Sequence, residues 1–74
     1  MEERLIAIIA ALLHVPASTL TLESGPGDLA EWDSLAQVNV VSEIEAEFGV
    51  SIPIEGVAEI RHIRDFLQYL EKTP

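Results

Sequence analysis

The sequence predicts an all-α fold, a four-helix bundle with a long first loop and a short third helix. The first observation is that apolar residues recur every three or four positions along three segments of the chain, as they do on the buried side of a helix. The second is that helix-breaking residues, among them Pro16, Gly49 and Pro53, fall between these segments. The third is length, since 74 residues are enough for one small domain, 1–74, with a mainly aliphatic core.

The first helix is predicted over residues 3–14, where apolar residues share one face of a helix. They are Leu5, Ile8, Ile9, Leu12 and Leu13. Pro16 ends this helix because proline disfavours α-helical geometry at the residue before it, and His14 is expected at the surface near the helix end. A long connection follows over residues 15–32. The leucines expected to hold it over the helix ends are Leu20, Leu22 and Leu29.

The second helix is predicted over residues 34–48, and Gly49 suits the position just after its end. Its buried seam is expected to consist of Val40, Val41, Ile44 and Phe48, widened towards the N-terminus by Leu35 and Val38. The opposite, solvent-facing stripe is partly acidic and consists of Ala36, Asn39, Glu43 and Glu47.

Two shorter helical segments complete the prediction. Residues 54–60 can form only a short helix, since Gly56 weakens helical structure by about 1 kcal/mol. The last helix is marked by apolar residues on one face, namely Ile63, Phe66, Leu67 and Leu70. Lys72 is expected in its final turn, where a positive charge suits the helix dipole. The sequence leaves open whether these two helices are separate or continuous.

Composition and charge exclude several classes of function. Thirteen acidic residues stand against four basic ones, a net charge of −9, and no Lys or Arg occurs between residues 5 and 60. Such a surface repels nucleic acid and attracts basic protein partners. The absence of cysteine excludes disulfides, cysteine-based zinc sites and a thiol nucleophile. His14 and His62 stand far apart in the sequence, so no enzymatic activity, catalytic residue or metal ligand is predicted.

The apolar run over residues 5–13 is too short for a membrane span, which needs about 20 residues. Glu2 and Glu3 precede it, whereas a signal peptide begins with basic residues. We therefore expect a cytoplasmic protein with no membrane span, and a monomer.

Ser34 lies where a loop rich in Gly and Pro gives way to the second helix. The free backbone N–H groups and the aligned peptide dipoles at a helix N-terminus favour an anion there. A serine that carries a phosphodiester would be well placed, which makes Ser34 a candidate modification site. The structural alternative is that Ser34, with Gln37 three residues later, forms a capping box of the S-x-x-Q type.

The motif around Ser34 resembles that of acyl carrier proteins. The motif is Asp28-Leu29-Ala30-Glu31-Trp32-Asp33-Ser34-Leu35. It is followed by an apolar helix ending in Glu45-Ala46-Glu47-Phe48-Gly49-Val50, and then by Ile52-Pro53. The segment Glu2-Glu3-Arg4-Leu5 with Ile8-Ile9 resembles the first helix of that family, so the likeness covers nearly the whole chain.

This resemblance implies that Ser34 carries 4′-phosphopantetheine, whose terminal thiol holds acyl groups as thioesters. It implies that Asp33 helps to orient the phosphopantetheinyl transferase or its magnesium ion. Further partners would be acyl- or aminoacyl-activating and transferring enzymes. The expected partner-binding residues are Trp32, Leu35, Ala36, Asn39, Glu43 and Glu47. The expected acyl pocket lies between the second and third helices and is lined by Val38, Val41, Val57 and Ile60.

Three residues depart from the pattern of the family. Ala36 and Asn39 stand where the family usually has acidic residues, and Trp32 stands where many carriers have a small or aliphatic residue. For Trp32 two roles are considered, pinning the loop against the second helix and contacting a partner. These departures suggest a free-standing carrier of a specialised pathway for secondary metabolites, lipids or the cell envelope. The alternatives are a D-alanyl or aminoacyl carrier and, from another class, an acidic helical interaction module with an unmodified Ser34.

Overall fold

The computed structural model describes residues 2–70 and contains four α-helices. They are α1 (Glu2–Leu13), α2 (Ser34–Phe48), α3 (Ile54–Glu59) and α4 (Leu67–Leu70). A 3₁₀ turn at Ala17–Thr19 follows α1, and a second at Ile63–Phe66 runs directly into α4. No strand occurs within residues 2–70, so the predicted all-α bundle with a short third helix is confirmed. The expected position of Lys72 in a final turn lies outside the described residues.

The core lies where α1, α2 and the segment of residues 63–70 meet. Its buried side chains are Leu5, Ile9, Ala10 and Leu13 from α1, Val40, Val41 and Ile44 from α2, and Ile63, Phe66 and Leu70 from the C-terminal segment. Burying a large aliphatic side chain contributes about 1.5–3 kcal/mol, so this cluster is the main source of stability. None of the helices in the described part of the chain is long and apolar enough to cross a membrane.

The first turns of α2 differ from the prediction. Val40 and Ile44 are buried as expected, but Leu35 and Val38 are 72% and 60% exposed. Because each residue turns about 100° around a helix, Leu35 points roughly 180° away from Ile44, and Val38 about 120° away. The prediction that these two residues widen the buried seam is therefore wrong, and Gln37 lies in the buried face instead.

The long connection is fixed to the turn that precedes α4. The carbonyl of Ser24 accepts a hydrogen bond from the N–H of Ile63 at 2.8 Å, and that of Leu22 accepts one from Arg64 at 3.0 Å. The guanidinium of Arg64 also pairs with the carboxylate of Glu23 at 2.7 Å. The three leucines predicted to anchor the connection pack in or against the core, as expected: Leu20, Leu22 and Leu29.

The helices α3 and α4 are separate, which answers the question that the sequence left open. The backbone is extended at Ile60 and at His62, so the helical geometry is interrupted between them. The carboxylate of Asp65 accepts hydrogen bonds from the backbone N–H groups of Arg61 at 2.9 Å and His62 at 3.0 Å. The bond from Arg61 is the largest cause that holds the pKa of Asp65 below its usual value of 3.8. Asp65 thus supplies the local hydrogen bonds that start the new turn.

Both histidines lie at helix boundaries. His14 is exposed and follows α1 in the left-handed region, with a φ of 59°. His62 is half-buried and precedes the turn at Ile63–Phe66. Within residues 2–70 no group of three His, Asp or Glu side chains is placed to hold a metal ion.

Candidate functional site

Asp33, rather than Ser34, caps α2. The backbone of Asp33 is extended, and its Oδ1 accepts a hydrogen bond from the N–H of Ala36 at 2.9 Å. Ser34 is the first residue of the helix and is exposed, and its hydroxyl has no hydrogen-bond partner within residues 2–70. The alternative of a capping box formed by Ser34 and Gln37 is therefore wrong. The hydroxyl of Ser34 is accessible at the positive end of the longest described helix.

Trp32 fixes the loop to α2. Its side chain is fully buried, and its Nε1–H donates a hydrogen bond to Oε1 of Gln37 at 2.8 Å. The loop-pinning role considered for Trp32 is therefore the one that the structure supports. Its assignment as a partner-binding residue is wrong in this conformation, because the indole presents no surface to a partner.

Three large apolar side chains are exposed near the starts of α2 and α3. Leu35 and Val38 lie on successive turns of α2, and Ile54, the first residue of α3, is 85% exposed. We call Leu35, Val38 and Ile54 the Ser34 apolar surface. Large apolar side chains that are exposed together are characteristic of protein contact sites. Ile54 was predicted as the start of the short third helix but not as a site residue, because its exposure depends on how α3 packs.

A groove opens beside Ser34 between α2 and α3. We call it the Ser34 groove. Its wall on the α2 side includes Ser34, Gln37 and Val38, and its wall on the α3 side includes Val57 and Ile60. Most of this lining is apolar, so the groove can hold an apolar group next to the serine.

A second groove adjoins the first and shares Val38 and Val57 with it. Val41 and Ile54 also line this second groove. Of the four residues predicted for an acyl pocket, Val41 lies in the second groove alone and Ile60 in the Ser34 groove alone. The four residues are thus distributed over two adjoining grooves between α2 and α3.

The acidic stripe of α2 faces α1 rather than α3. Ala36, Asn39 and Glu43 line a third groove, which lies between α2 and the end of α1. Glu47 pairs with Arg4 of α1, with 2.9 Å between its Oε2 and Nη2 of the arginine. The stripe therefore flanks the Ser34 apolar surface on one side of the helix, and one of its two carboxylates is engaged within the protein.

The start of α2 suits attachment of a group better than catalysis. No hydrogen bond within residues 2–70 connects the hydroxyl of Ser34 to a general base, which an activated nucleophile would need. An anion attached to Ser34 would lie at the helix N-terminus, where the free N–H groups and the helix dipole stabilise it. The fold and this site are those expected of a small helical protein that carries a covalently attached group.

Comparison with known proteins identifies the family. The model of the family described as phosphopantetheine attachment site matches residues 3–70. The chain is 33% identical over 73 residues to an acyl carrier protein of Porphyromonas gingivalis, and the match covers 99% of this chain and 94% of that protein. It is 36% identical over 73 residues to an acyl carrier protein of Syntrophobacter fumaroxidans, with 99% and 90% covered. It is 38% identical over 70 residues to one of Phaeodactylum tricornutum, with 95% and 92% covered. The chain belongs to the acyl carrier protein family, whose members carry acyl groups and are not enzymes.

The residues at the start of α2 fit 4′-phosphopantetheine, the prosthetic group of this family. Ser34 offers an accessible hydroxyl at a helix N-terminus, which suits the phosphodiester. The adjoining groove offers apolar walls to the arm, and Gln37 holds a buried Nε2 that has no partner within residues 2–70. When bound, the group supplies a flexible arm whose terminal thiol forms thioesters with acyl groups. The sequence analysis considered Gln37 only as part of a capping box, although its place among the apolar positions of α2 was a signal that it is buried.

Proposed function

We propose that Ser34 carries 4′-phosphopantetheine, and that the protein delivers acyl groups held on this arm to partner enzymes. The observation that carries the proposal is the exposed hydroxyl of Ser34, directly after the Asp33 cap and without a hydrogen-bond partner within residues 2–70. A phosphopantetheinyl transferase would attach the arm from coenzyme A. One carboxylate oxygen of Asp33 accepts the capping hydrogen bond from the N–H of Ala36. The other would help to orient the transferase or its magnesium ion.

The test of this function is the intact mass of the protein after incubation with coenzyme A and a broad-specificity transferase. A carrier gains the mass of one phosphopantetheine group. An acidic interaction module with an unmodified serine keeps its original mass, and that result would overturn the proposal.

We further propose that the protein serves a specialised pathway for secondary metabolites, lipids or the cell envelope. Ala36 and Asn39 are uncharged, so the start of α2 attracts basic surfaces less strongly than acidic residues there would. The Ser34 apolar surface offers apolar contact in their place. The buried Trp32 takes no part in this contact, so the three exposed side chains Leu35, Val38 and Ile54 support the proposal instead.

Malonyl loading by a generic fatty-acid malonyl transferase tests the pathway. We expect poor loading of the holo protein and an improvement in the variant Ala36→Asp with Asn39→Glu at low salt. Each restored charge contributes up to about 1 kcal/mol at an exposed interface. Efficient loading of the wild type, unchanged by the two substitutions, would indicate an ordinary fatty-acid carrier. Efficient loading by an enzyme that activates D-alanine or another amino acid would indicate the aminoacyl alternative.

The cargo would be sheltered between α2 and α3. Val38, Val41, Val57 and Ile60 line the two adjoining grooves there and would cover a short or medium acyl chain. We propose that the protein works as a monomer in the cytoplasm, where coenzyme A and the acyl-handling partners would be at hand.

A further inference from the structure

The side-chain amide of Gln37 is buried but only half satisfied. Its Oε1 accepts a hydrogen bond from Nε1 of Trp32 at 2.8 Å, whereas its Nε2 has no partner within residues 2–70. Gln37 is only 9% exposed, so its Nε2 has little contact with bulk water. The orientation of the amide follows from chemistry, because an indole N–H can only donate and must face the oxygen. A buried N–H group without an acceptor is unfavourable, so this donor calls for an explanation.

The position of Gln37 relates it to the proposed attachment site. Gln37 follows Ser34 by three residues on α2, which places it about 4.5 Å further along the helix axis. Both residues line the Ser34 groove. The neighbouring side chains Val38, Val57 and Ile60 carry no hydrogen-bond acceptor. Asp33 also lines the groove, but no hydrogen bond joins its carboxylate to Nε2 of Gln37. A group attached to Ser34 and lying in this groove would therefore be an available source of an acceptor.

We propose that Nε2 of Gln37 donates a hydrogen bond to a carbonyl oxygen of the group attached to Ser34, and so positions that group in the Ser34 groove. This inference rests on the proposed function of Ser34. Trp32 would act through Gln37, because its indole N–H holds the amide in the orientation that leaves the donor available. The carbonyl can belong to the pantetheine arm, which contains two amides, or to the acyl cargo. Both sources share the same chemistry.

The two sources are distinguished by NMR on ¹⁵N-labelled wild-type protein in four forms. These are the apo form, the holo form, a form loaded with a saturated acyl chain and a form loaded with a 3-oxoacyl chain of equal length. We expect NOEs between the Hε2 protons of Gln37 and the attached group. We also expect exchange of these protons with water to slow by about fivefold, the size expected for a typical hydrogen bond.

Each result has a definite meaning. Slowing already in the holo form assigns the acceptor to the arm, and slowing only after acylation assigns it to the cargo. A larger effect for the 3-oxoacyl chain than for the saturated chain would identify the 3-oxo oxygen as the acceptor. If the Gln37 protons are already protected in the apo form and do not change on loading, burial or a buried water protects them and the proposal is overturned. The proposal is also overturned if these protons stay unprotected in all four forms.

Two variants distinguish the role of the Gln37 amide, which is the donor, from that of Trp32, which orients it. Gln37→Met keeps the length of the side chain and removes the donor, whereas Trp32→Phe removes the indole N–H and keeps the amide of Gln37. Loading should raise the melting temperature of the wild type most, that of Trp32→Phe less, because its Gln37 amide is no longer held by the indole, and that of Gln37→Met least. An equal rise in all three proteins would overturn the proposal. Mass spectrometry of each sample checks the attachment itself, so a missing mass increment points to failure of the proposed function and not of the Gln37 contact.

Discussion

Asp33 and Ser34 are adjacent at the start of α2 but have different roles, which stability measurements can separate. Asp33 accepts the capping hydrogen bond from Ala36, whereas the hydroxyl of Ser34 has no hydrogen-bond partner within residues 2–70. We expect Asp33→Ala to lower the free energy of unfolding by about 1 kcal/mol. Ser34→Ala should change it by less than about 0.5 kcal/mol. Urea denaturation of the apo proteins measures both, and an equal loss for the two variants would contradict the assignment of the cap.

At the residue scale the sequence predicts what local chemistry determines and misses what tertiary packing determines. The place of Ser34 at a loop-to-helix boundary followed from neighbouring residues alone. The capping role, in contrast, could fall to either Asp33 or Ser34, because both residue types are good N-caps. The hydrogen bond between Trp32 and Gln37 could not be predicted, since it depends on how the loop folds back onto α2.

At the element scale, the long connection depends on close backbone approach at Gly25. A Cβ at this position would collide with the carbonyl group of Arg61, and backbone atoms cannot move aside as a side-chain end can. We expect Gly25→Ala to lower the free energy of unfolding by about 3 kcal/mol, the upper range for overpacking.

Gly27→Ala is the matched control for Gly25→Ala. Gly27 lies in the same loop with a φ of 92°, and nothing lies within 4 Å of a Cβ there. This change should cost about 1–2 kcal/mol, from backbone strain alone. Chemical denaturation of both variants compares them, and a smaller loss for Gly25→Ala than for Gly27→Ala would show that the loop does not pack as described.

The bounds of the first helices could be predicted well, because Pro16 and Gly49 follow the ends of α1 and α2, and Pro53 directly precedes α3. The orientation of α2 could be predicted only in part. A count of apolar periodicity treats every apolar residue as buried, and so it placed Leu35 and Val38 in the core. The structure exposes them because α1 and the C-terminal segment cover only one side of α2. The Ser34 apolar surface therefore could not be predicted from the sequence alone.

At the scale of the whole molecule, the count of thirteen acidic residues overstates the number of carboxylates that are available to a partner. Arg4 pairs with Glu47, and Arg64 pairs with Glu23. Glu45 is also engaged, since it accepts a hydrogen bond from the backbone N–H of Ile52 at 2.7 Å. Some of the acidic side chains are thus engaged within the protein, and only the others are free to contact a partner. Each surface ion pair of this kind contributes little to stability.

Charge reversal on α2 measures how much its acidic residues contribute to docking of the transferase. Glu43→Lys with Glu47→Lys should slow phosphopantetheinyl transfer about threefold or more at low salt, because a basic transferase would be repelled. The defect should shrink as salt is raised, since exposed charges are screened. The same change of net charge at Glu2 and Glu3 on α1 is the control. Transfer rates that are insensitive to both the α2 substitutions and salt would remove this face from docking.

The central claim is that Ser34 is the attachment site, and the most direct measurement is labelling by a fluorescent coenzyme A analogue and a broad-specificity transferase. The wild type is compared with Ser34→Ala and with Ser42→Ala, which removes another exposed serine from the same helix. Circular dichroism checks that each variant remains helical. We predict one label on the wild type and on Ser42→Ala, and none on Ser34→Ala. Labelling of Ser34→Ala, or an unlabelled wild type, would contradict the claim.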